Sequence, residues 1–237
     1  MSSFAEDVFT LFGIRLSAEQ LAAFDTYAVE LVEWNRRFNL TSITDPQQIR
    51  VKHLLDSLSC WLALRQAPPD RMIDVGSGAG FPGVPLKILR TEIELTLVEA
   101  TAKKAGFLEH IVQVLRLEKV TVLARRAEEV GQMAEHRETY DWALARAVAP
   151  LPVLAEYLLP LVRVGGFALA QKGKGARAEA QEAKGAITKL GGELSELTRI
   201  EIPGLDEERS LVVIKKVALT PMAYPRRAGM PGKRPII

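Results

Sequence analysis

Met72-Ile73-Asp74-Val75-Gly76-Ser77-Gly78-Ala79-Gly80-Phe81-Pro82-Gly83 reads as a short apolar strand ending in an acid, a glycine-rich turn and the first turn of a helix. Pro82 and Pro85 are tolerated there, because the first N–H groups of a helix have no intrahelical partner. Each glycine removes a Cβ, which lets the backbone turn sharply and approach a ligand closely. The free N–H groups at the helix start face an anionic or hydroxyl-rich ligand. Strand, turn and helix at the carboxyl edge of a parallel sheet predict a site for a nucleotide-type cofactor.

The register of the glycines selects the cofactor. Counted from Gly76, the spacing is G-x-G-x-G, and Phe81 stands where a dinucleotide fold needs its last glycine. Gly78, Gly80 and Gly83 do fit G-x-G-x-x-G, but that register starts late and places a proline inside the turn, and the motif alone is a weak signal. Asp74 lies two residues before the first glycine. D-x-G-x-G-x-G after a strand resembles the S-adenosylmethionine site of Rossmann-like methyltransferases.

Downstream, strand and helix patterns alternate, as in a parallel sheet. Arg71–Val75 is the first strand, followed by Ile93–Val98, Val120–Leu123, Trp142–Ala145 and Phe167–Ala170, the last entered through Gly165-Gly166. Lys174–Leu190 reads as a charged surface helix, and Leu197–Ile202 and Leu211–Val217 as a closing hairpin around Pro203-Gly204. In open α/β sheets the ligand lies beyond the carboxyl ends of the strands. Asp74, Glu99, Glu128, Arg146 and Lys172 all fall at or just after such ends. Glu99 is placed where an acid can accept hydrogen bonds from ribose hydroxyls.

Upstream, residues 1–66 read as helical. Ser17 and Gln20 form a capping box before Leu21, Phe24, Ala28, Leu31, Trp34 and Phe38, which recur at helical spacing. Asp45 caps a second helix with Pro46 at its first position. Pro68-Pro69-Asp70 marks the boundary. The expected organisation is therefore an N-terminal helical region over 1–66, an α/β domain over 67–217 and a C-terminal arm over 218–237. From residue type alone, Asn39 suits a turn and His53 a partly buried packing position.

Composition sets the outer limits. With 48% hydrophobic and 25% charged residues, the chain has an ordinary globular make-up and ample core. A formal net charge of +2 does not by itself point to nucleic acid; a local concentration of charge is needed. Cys60 is the single cysteine, which excludes an internal disulfide and fits a reducing cytoplasm. No signal peptide, membrane span or metal cluster is expected. The local charge is in the arm: after Glu208 there is no acid, and Arg226, Arg227, Lys233 and Arg234 sit among prolines and glycines. An extended basic arm suits RNA phosphate. Its removal is expected to weaken RNA binding and to leave the cofactor in place.

Together these residues resemble one family, the bacterial 16S ribosomal RNA guanine-N7 methyltransferases long called glucose-inhibited division protein B. The resemblance runs from Trp34 to the end. It rests on Trp34-Asn35, Phe38-Asn39-Leu40-Thr41-Ser42, His53-Leu54-Leu55-Asp56-Ser57, Asp74–Gly83, Arg126-Ala127-Glu128-Glu129, Arg146-Ala147, Lys172-Gly173 and the arm. It implies a Rossmann-like α/β methyltransferase sheet with an N-terminal helical extension. It further implies S-adenosylmethionine as cofactor and 16S rRNA or the small ribosomal subunit as partner, with a guanine of the decoding-region loop as target. Asp74, Gly76, Gly78, Gly80, Phe81, Glu99, Ala100, Thr101, Ala127, Glu128 and Arg146 are the expected cofactor residues. Arg146 and Lys172 are the expected catalytic pair, and Asn39, His53, Arg126, Arg226, Arg227, Lys233 and Arg234 are expected on the RNA side.

The residues can be checked against that chemistry. A cytosine-C5 transferase needs a site cysteine, and Cys60 lies among apolar neighbours. An exocyclic-amine transferase typically shows an Asn/Asp-Pro-Pro-aromatic loop, where this chain has Ala145-Arg146-Ala147-Val148-Ala149-Pro150. A purine N7 needs no proton removed before attack. Two other classes stay open at this point: a nicotinamide-dependent oxidoreductase on the same glycine turn, and a non-catalytic RNA-binding assembly factor.

Overall fold

The structure, a computed structural model, describes residues 3–236. Helix α1 (Phe4–Phe12) is closed by a Ser3/Glu6 capping box and ends at Gly13 in the left-handed conformation. Helix α2 (Ala18–Phe38) starts from the expected Ser17/Gln20 box and ends on Asn39, also left-handed. Asp45 caps α3 (Pro46–Ile49). The expected continuous second helix departs from regularity here. Arg50–Leu55 is a π-helical stretch, followed by α4 (Asp56–Leu58) and α5 (Trp61–Leu64). A π turn adds a residue to the helical repeat and re-aims the side chains around it, here Lys52, His53 and Asp56.

The α/β part runs β1 (Arg71–Val75), α6 (Gly83–Leu89), β2 (Glu94–Val98), α7 (Ala102–Val114), β3 (Val120–Leu123), α8 (Ala127–Val130), β4 (Tyr140–Arg146), α9 (Leu151–Leu158), β5 (Val162–Lys172), α10 (Ala176–Glu182), α11 (Lys184–Lys189), β6 (Gly192–Ile200) and β7 (Arg209–Lys216). The seven strands lie in the order β3-β2-β1-β4-β5-β7-β6. β7 inserts antiparallel between β5 and β6, so the expected hairpin closes the sheet. The strand order reverses between β1 and β4, which opens a crevice beyond their carboxyl ends.

Alternation along each strand divides the core. Met72, Leu95, Leu97, Trp142, Leu144 and Leu169 face the layer formed by α1, α2, the π-helical stretch, α6 and α7. Ile73, Val75, Ala143, Ala145, Ala168 and Val212 face α9, α10 and α11. The N-terminal helices therefore share one hydrophobic cluster with the sheet: Phe24, Tyr27 and Leu31 are buried in it together with Leu97, Phe107 and Leu108. Each such fully buried large apolar side chain contributes roughly 1.5–3 kcal/mol.

Three expectations are corrected. Gly165 and Gly166 lie inside β5, not before it; a Cβ at Gly166 would stand 2.6 Å from the Asp141 carbonyl oxygen, so only glycine lets the strands approach there. The Lys174–Leu190 stretch forms two helices, α10 and α11, where one was expected; they lie at the surface with Lys174, Arg177, Glu182, Lys184 and Lys189 exposed, and bury Ala176, Ala180, Ala186 and Ile187 on their inner face. The C-terminal arm is not a free extended segment. It carries a short helix, α12 (Met230–Lys233), and Pro225, Pro231 and Ile236 are buried.

Candidate active site

The loop after β1 holds glycines with different tasks. A Cβ at Gly80 (φ 97°) would lie 2.7 Å from the Tyr27 hydroxyl, which donates to the Ala79 carbonyl at 2.5 Å. A Cβ at Gly76 would meet Val148 at 2.6 Å. At Gly78 (φ 60°) the nearest atom to an added Cβ is the Gly76 carbonyl oxygen at 3.9 Å, so this position opens outward. Asp74 lies beneath the loop, fully buried. Its Oδ2 accepts from the Gly83 N–H at 2.9 Å, and burial pushes its carboxyl up to about 7. Asp74 and Gly80 therefore shape the loop from below, whereas the sequence had placed them against the cofactor.

Glu99, at the end of β2, closes the other side. Its Oε2 accepts from the Gly78 N–H at 3.0 Å and its Oε1 from the Thr101 N–H at 2.7 Å. Each carboxylate oxygen has a second lone pair, available to a ribose hydroxyl. Ala100 and Thr101 are exposed beside it, and Ala127 is half-buried at the start of α8. Glu128 is 5% exposed, and its Oε1 accepts from the Gly229 N–H at 2.8 Å. An outward-opening glycine, a carboxylate at the end of β2 and accessible edges at Ala100–Thr101 and Ala127 fit an adenosyl group.

Phe81 joins this half-site to a second one. Its ring stacks on Tyr27 (5.3 Å) and on His53 (4.5 Å, 16° between planes), and the Arg146 guanidinium lies 4.9 Å from its centroid. Beyond it lies a cleft of about 450 Å³ lined by Lys52, His53, Asp56, Arg146, Gln171, Lys172 and Arg209. Asp56 is the anchor. Its side chain is 1% exposed and pairs with Arg146 (3.1 Å) and Arg209 (3.2 Å), and Gln171 Nε2 donates to it at 2.8 Å. Lys172 lines the same cleft, held by Glu179 at 2.7 Å and the Ala149 carbonyl at 3.0 Å. We expect Asp56→Ala to lower stability by about 3 kcal/mol, because two partly buried guanidinium groups lose their counter-charge. Chemical denaturation checks this, and an unshifted midpoint would contradict it.

His53 is positioned by a relay. Its Nε2 lies 2.9 Å from the Thr41 hydroxyl, and Asn35 holds Thr41 through both main-chain groups, at 2.8 and 2.9 Å. Burial, reinforced by the Arg146 charge, lowers the His53 pKa from 6.5 to about 4. The unfolded chain therefore binds this proton first. The contribution of His53 to stability is fully present above pH 6.5 and is lost as pH falls toward 4. The expected loss is about 3 kcal/mol, and His53→Gln should remove that part of the acid slope; an identical slope would contradict the assignment.

The other expected RNA-side residues divide. Asn39, Arg126, Arg227, Lys233 and Arg234 are exposed. Arg226 is corrected: it grips Glu156 through Nη2 at 2.6 Å and Nε at 2.9 Å, a bidentate pair that uses its donors inside the fold. Cys60 is fully buried and its thiol pKa is raised by burial, so it is a core residue. Asn35, Thr41, Asp56, Gln171 and Arg209 were given no individual role by sequence. Asn35, Thr41 and Asp56 stood inside the motifs that carried the resemblance, and Asp56 also as an acid inside an otherwise apolar helical run.

Among the described residues, no helix is long and apolar enough to cross a membrane, and no group of three or more His, Cys, Asp or Glu side chains could hold a metal ion. The GidB family model, described as rRNA small subunit methyltransferase G, matches residues 20–212. A ribosomal RNA small subunit methyltransferase G of Roseiflexus castenholzii is 54% identical over 228 residues, covering 96% of this chain and 97% of that one. One of Desulfitobacterium hafniense is 46% identical over 224 residues, covering 94% and 92%. Among solved structures, M. jannaschii TYW2 in complex with AdoMet superposes with a TM-score of 0.52 at 12% identity, covering 68% of this chain and 77% of that one. TrmN from Thermus thermophilus gives 0.52 at 18% identity, covering 68% and 49%. At such identities the likeness is one of fold.

Proposed function

The chain belongs to the GidB family, the rRNA small subunit methyltransferases G, and from this premise we propose that it transfers a methyl group from S-adenosylmethionine to N7 of a guanine in the decoding-region loop of 16S rRNA. The observation that carries the reading is the junction at Phe81. The glycine loop and the basic cleft meet there, with the Arg146 guanidinium over the ring.

S-adenosylmethionine, when bound, supplies a methyl group on a positively charged sulfur. Gly78, Glu99, Ala100, Thr101, Ala127 and Glu128 would hold it at the carboxyl edge of the sheet. The guanine N7 lone pair lies in the ring plane and is already nucleophilic, so the protein's task is to align it, and alignment alone can supply a large part of the rate. Arg146 and Lys172 orient guanine and phosphate by charge-assisted hydrogen bonds. Among the described residues lining the cleft, the acids and the imidazole are all engaged: Asp56 with the two arginines, Glu207 with Lys52 at 2.8 Å, and neutral His53 between Thr41 and Arg146. That suits an acceptor atom with no proton to lose.

The partner in this reading is the 16S rRNA or the small subunit that contains it, and a cytoplasmic location follows from that reading. We propose the same organisation for the chain, a helical region over 1–66, the α/β domain over 67–217 and the arm over 218–237, with the helical region sharing its core with the sheet. Thermal unfolding with S-adenosylmethionine and NAD added in parallel tests the cofactor, since only a ligand that binds the folded state raises the transition. S-adenosylmethionine should raise it and NAD should not; the reverse would restore the oxidoreductase reading.

A further inference from the structure

We propose that the C-terminal segment from Met222 to Arg234 is a wall of the cofactor site, with the main-chain N–H of Gly229 as the group that positions Glu128. The inference rests on the reading above, in which Glu128 contacts the cofactor. Composition alone made this segment an RNA-binding arm independent of the cofactor. Its contacts place it against α8, the short helix that begins at the cofactor edge.

The contacts run from that helix into the turns that follow it, up to Arg137. At its start, Glu128 is 5% exposed and its Oε1 lies 2.8 Å from the Gly229 nitrogen. Gly229 is in the left-handed conformation (φ 81°), which glycine adopts readily. At its end, Pro225 packs so closely on Gly131 that a Cβ there would stand 2.8 Å from the proline Cγ. Gln132 Nε2 donates to the Pro225 carbonyl at 2.5 Å. Arg137 donates to the carbonyls of Tyr224 and Thr220 at 2.7 and 2.8 Å. Arg226 fastens the segment to α9 through Glu156. A free glutamate has several rotamers and gives up that freedom when it binds a ligand. The Gly229 N–H, with the Tyr157 hydroxyl of α9 as a second donor, fixes the Glu128 carboxylate beforehand, and preorganisation of this kind raises affinity.

The test is a double-mutant cycle on the dissociation constant for S-adenosylmethionine. It uses the full chain, Glu128→Ala, Gly229→Pro, a truncation after Pro221, and Glu128→Ala combined with each of the other two, each shown to be folded by its unfolding transition. Gly229→Pro removes the N–H, cannot adopt the positive φ, and leaves Arg227, Lys233 and Arg234 present should the truncation fail to fold. Each single change is expected to weaken binding about tenfold, and the loss should appear in KM for S-adenosylmethionine. Combining Glu128→Ala with either change in the arm should cost no more than about tenfold, because both act on the same carboxylate. Wild-type affinity in folded Gly229→Pro and truncated proteins, with Glu128→Ala weakened, would overturn the proposal. So would losses that multiply to about a hundredfold, since the arm would then act without Glu128. Wild-type affinity in Glu128→Ala would instead overturn the underlying assignment of Glu128 to the cofactor.

Discussion

Gly78→Val abolishes measurable S-adenosylmethionine binding while the protein still folds. Gly78 has φ 60°, and a Cβ there would point into open space with no neighbour nearer than 3.9 Å. A non-glycine residue in this left-handed conformation costs roughly 1–2 kcal/mol, which a well-packed fold survives. The branched side chain then fills the volume the ligand needs. It also strains the loop whose Gly78 N–H meets the Glu99 carboxylate, so both walls of the site are disturbed at once. Gly80→Ala is the informative contrast. Its Cβ would collide with the Tyr27 hydroxyl at 2.7 Å, so it should lose stability first and affinity only in consequence. Calorimetry on folded Gly78→Val protein decides the matter, and unchanged affinity would remove this loop from the cofactor site.

Arg146→Ala should lower methyl transfer roughly 10²–10³-fold, the scale seen when one preorganised donor is removed from a site. S-adenosylmethionine binding should fall far less. The guanidinium is fixed by Asp56 at 3.1 Å, by the Lys52 carbonyl at 3.3 Å, by the Ser57 hydroxyl and the His53 ring at 3.5 and 3.4 Å, and by the Phe81 ring beneath it. Arg209 remains paired with Asp56 in the variant, so the buried carboxylate keeps one cation and the fold persists. Arg146→Lys restores charge without the planar fork and should recover only part of the rate. Single-turnover transfer with 16S rRNA measures the effect; a rate within threefold of the parent protein would separate Arg146 from the reaction.

How much of this was legible in the sequence depended on whether the signal was local. Asp74 through Gly83 announced the strand, turn and helix because each glycine has a backbone reason visible in the residue itself. The capping box at Ser17 and the N-cap at Asp45 fixed the helix starts for the same reason. The π-helical stretch at Arg50–Leu55 was not legible, since its apolar residues fit a regular helix almost as well. That missed turn hid the meeting of Asp56 with Arg146 and Arg209, which lie 90 and 153 residues away along the chain. Arg226 was misassigned because composition reports charge and not partners; Glu156, 70 residues earlier, decides what that charge does. Asp74 was recognised by its spacing, but only the buried bond to Gly83 shows that it shapes the loop.

The central claim is that the accepting atom is guanine N7, and the charge left by the transfer gives it a direct test. Methylation at N7 leaves a positive charge on the imidazole ring of the purine. That ring is then open to reduction, and the RNA can be cut with aniline at the modified nucleotide. 16S rRNA or small ribosomal subunits are incubated with the protein and S-adenosylmethionine, and the RNA is treated with borohydride and aniline. The account predicts one protein-dependent scission, at a guanine of the decoding-region loop, that is strongly reduced with Arg146→Ala. Methyl incorporation without scission would place the methyl group on another atom and contradict the account.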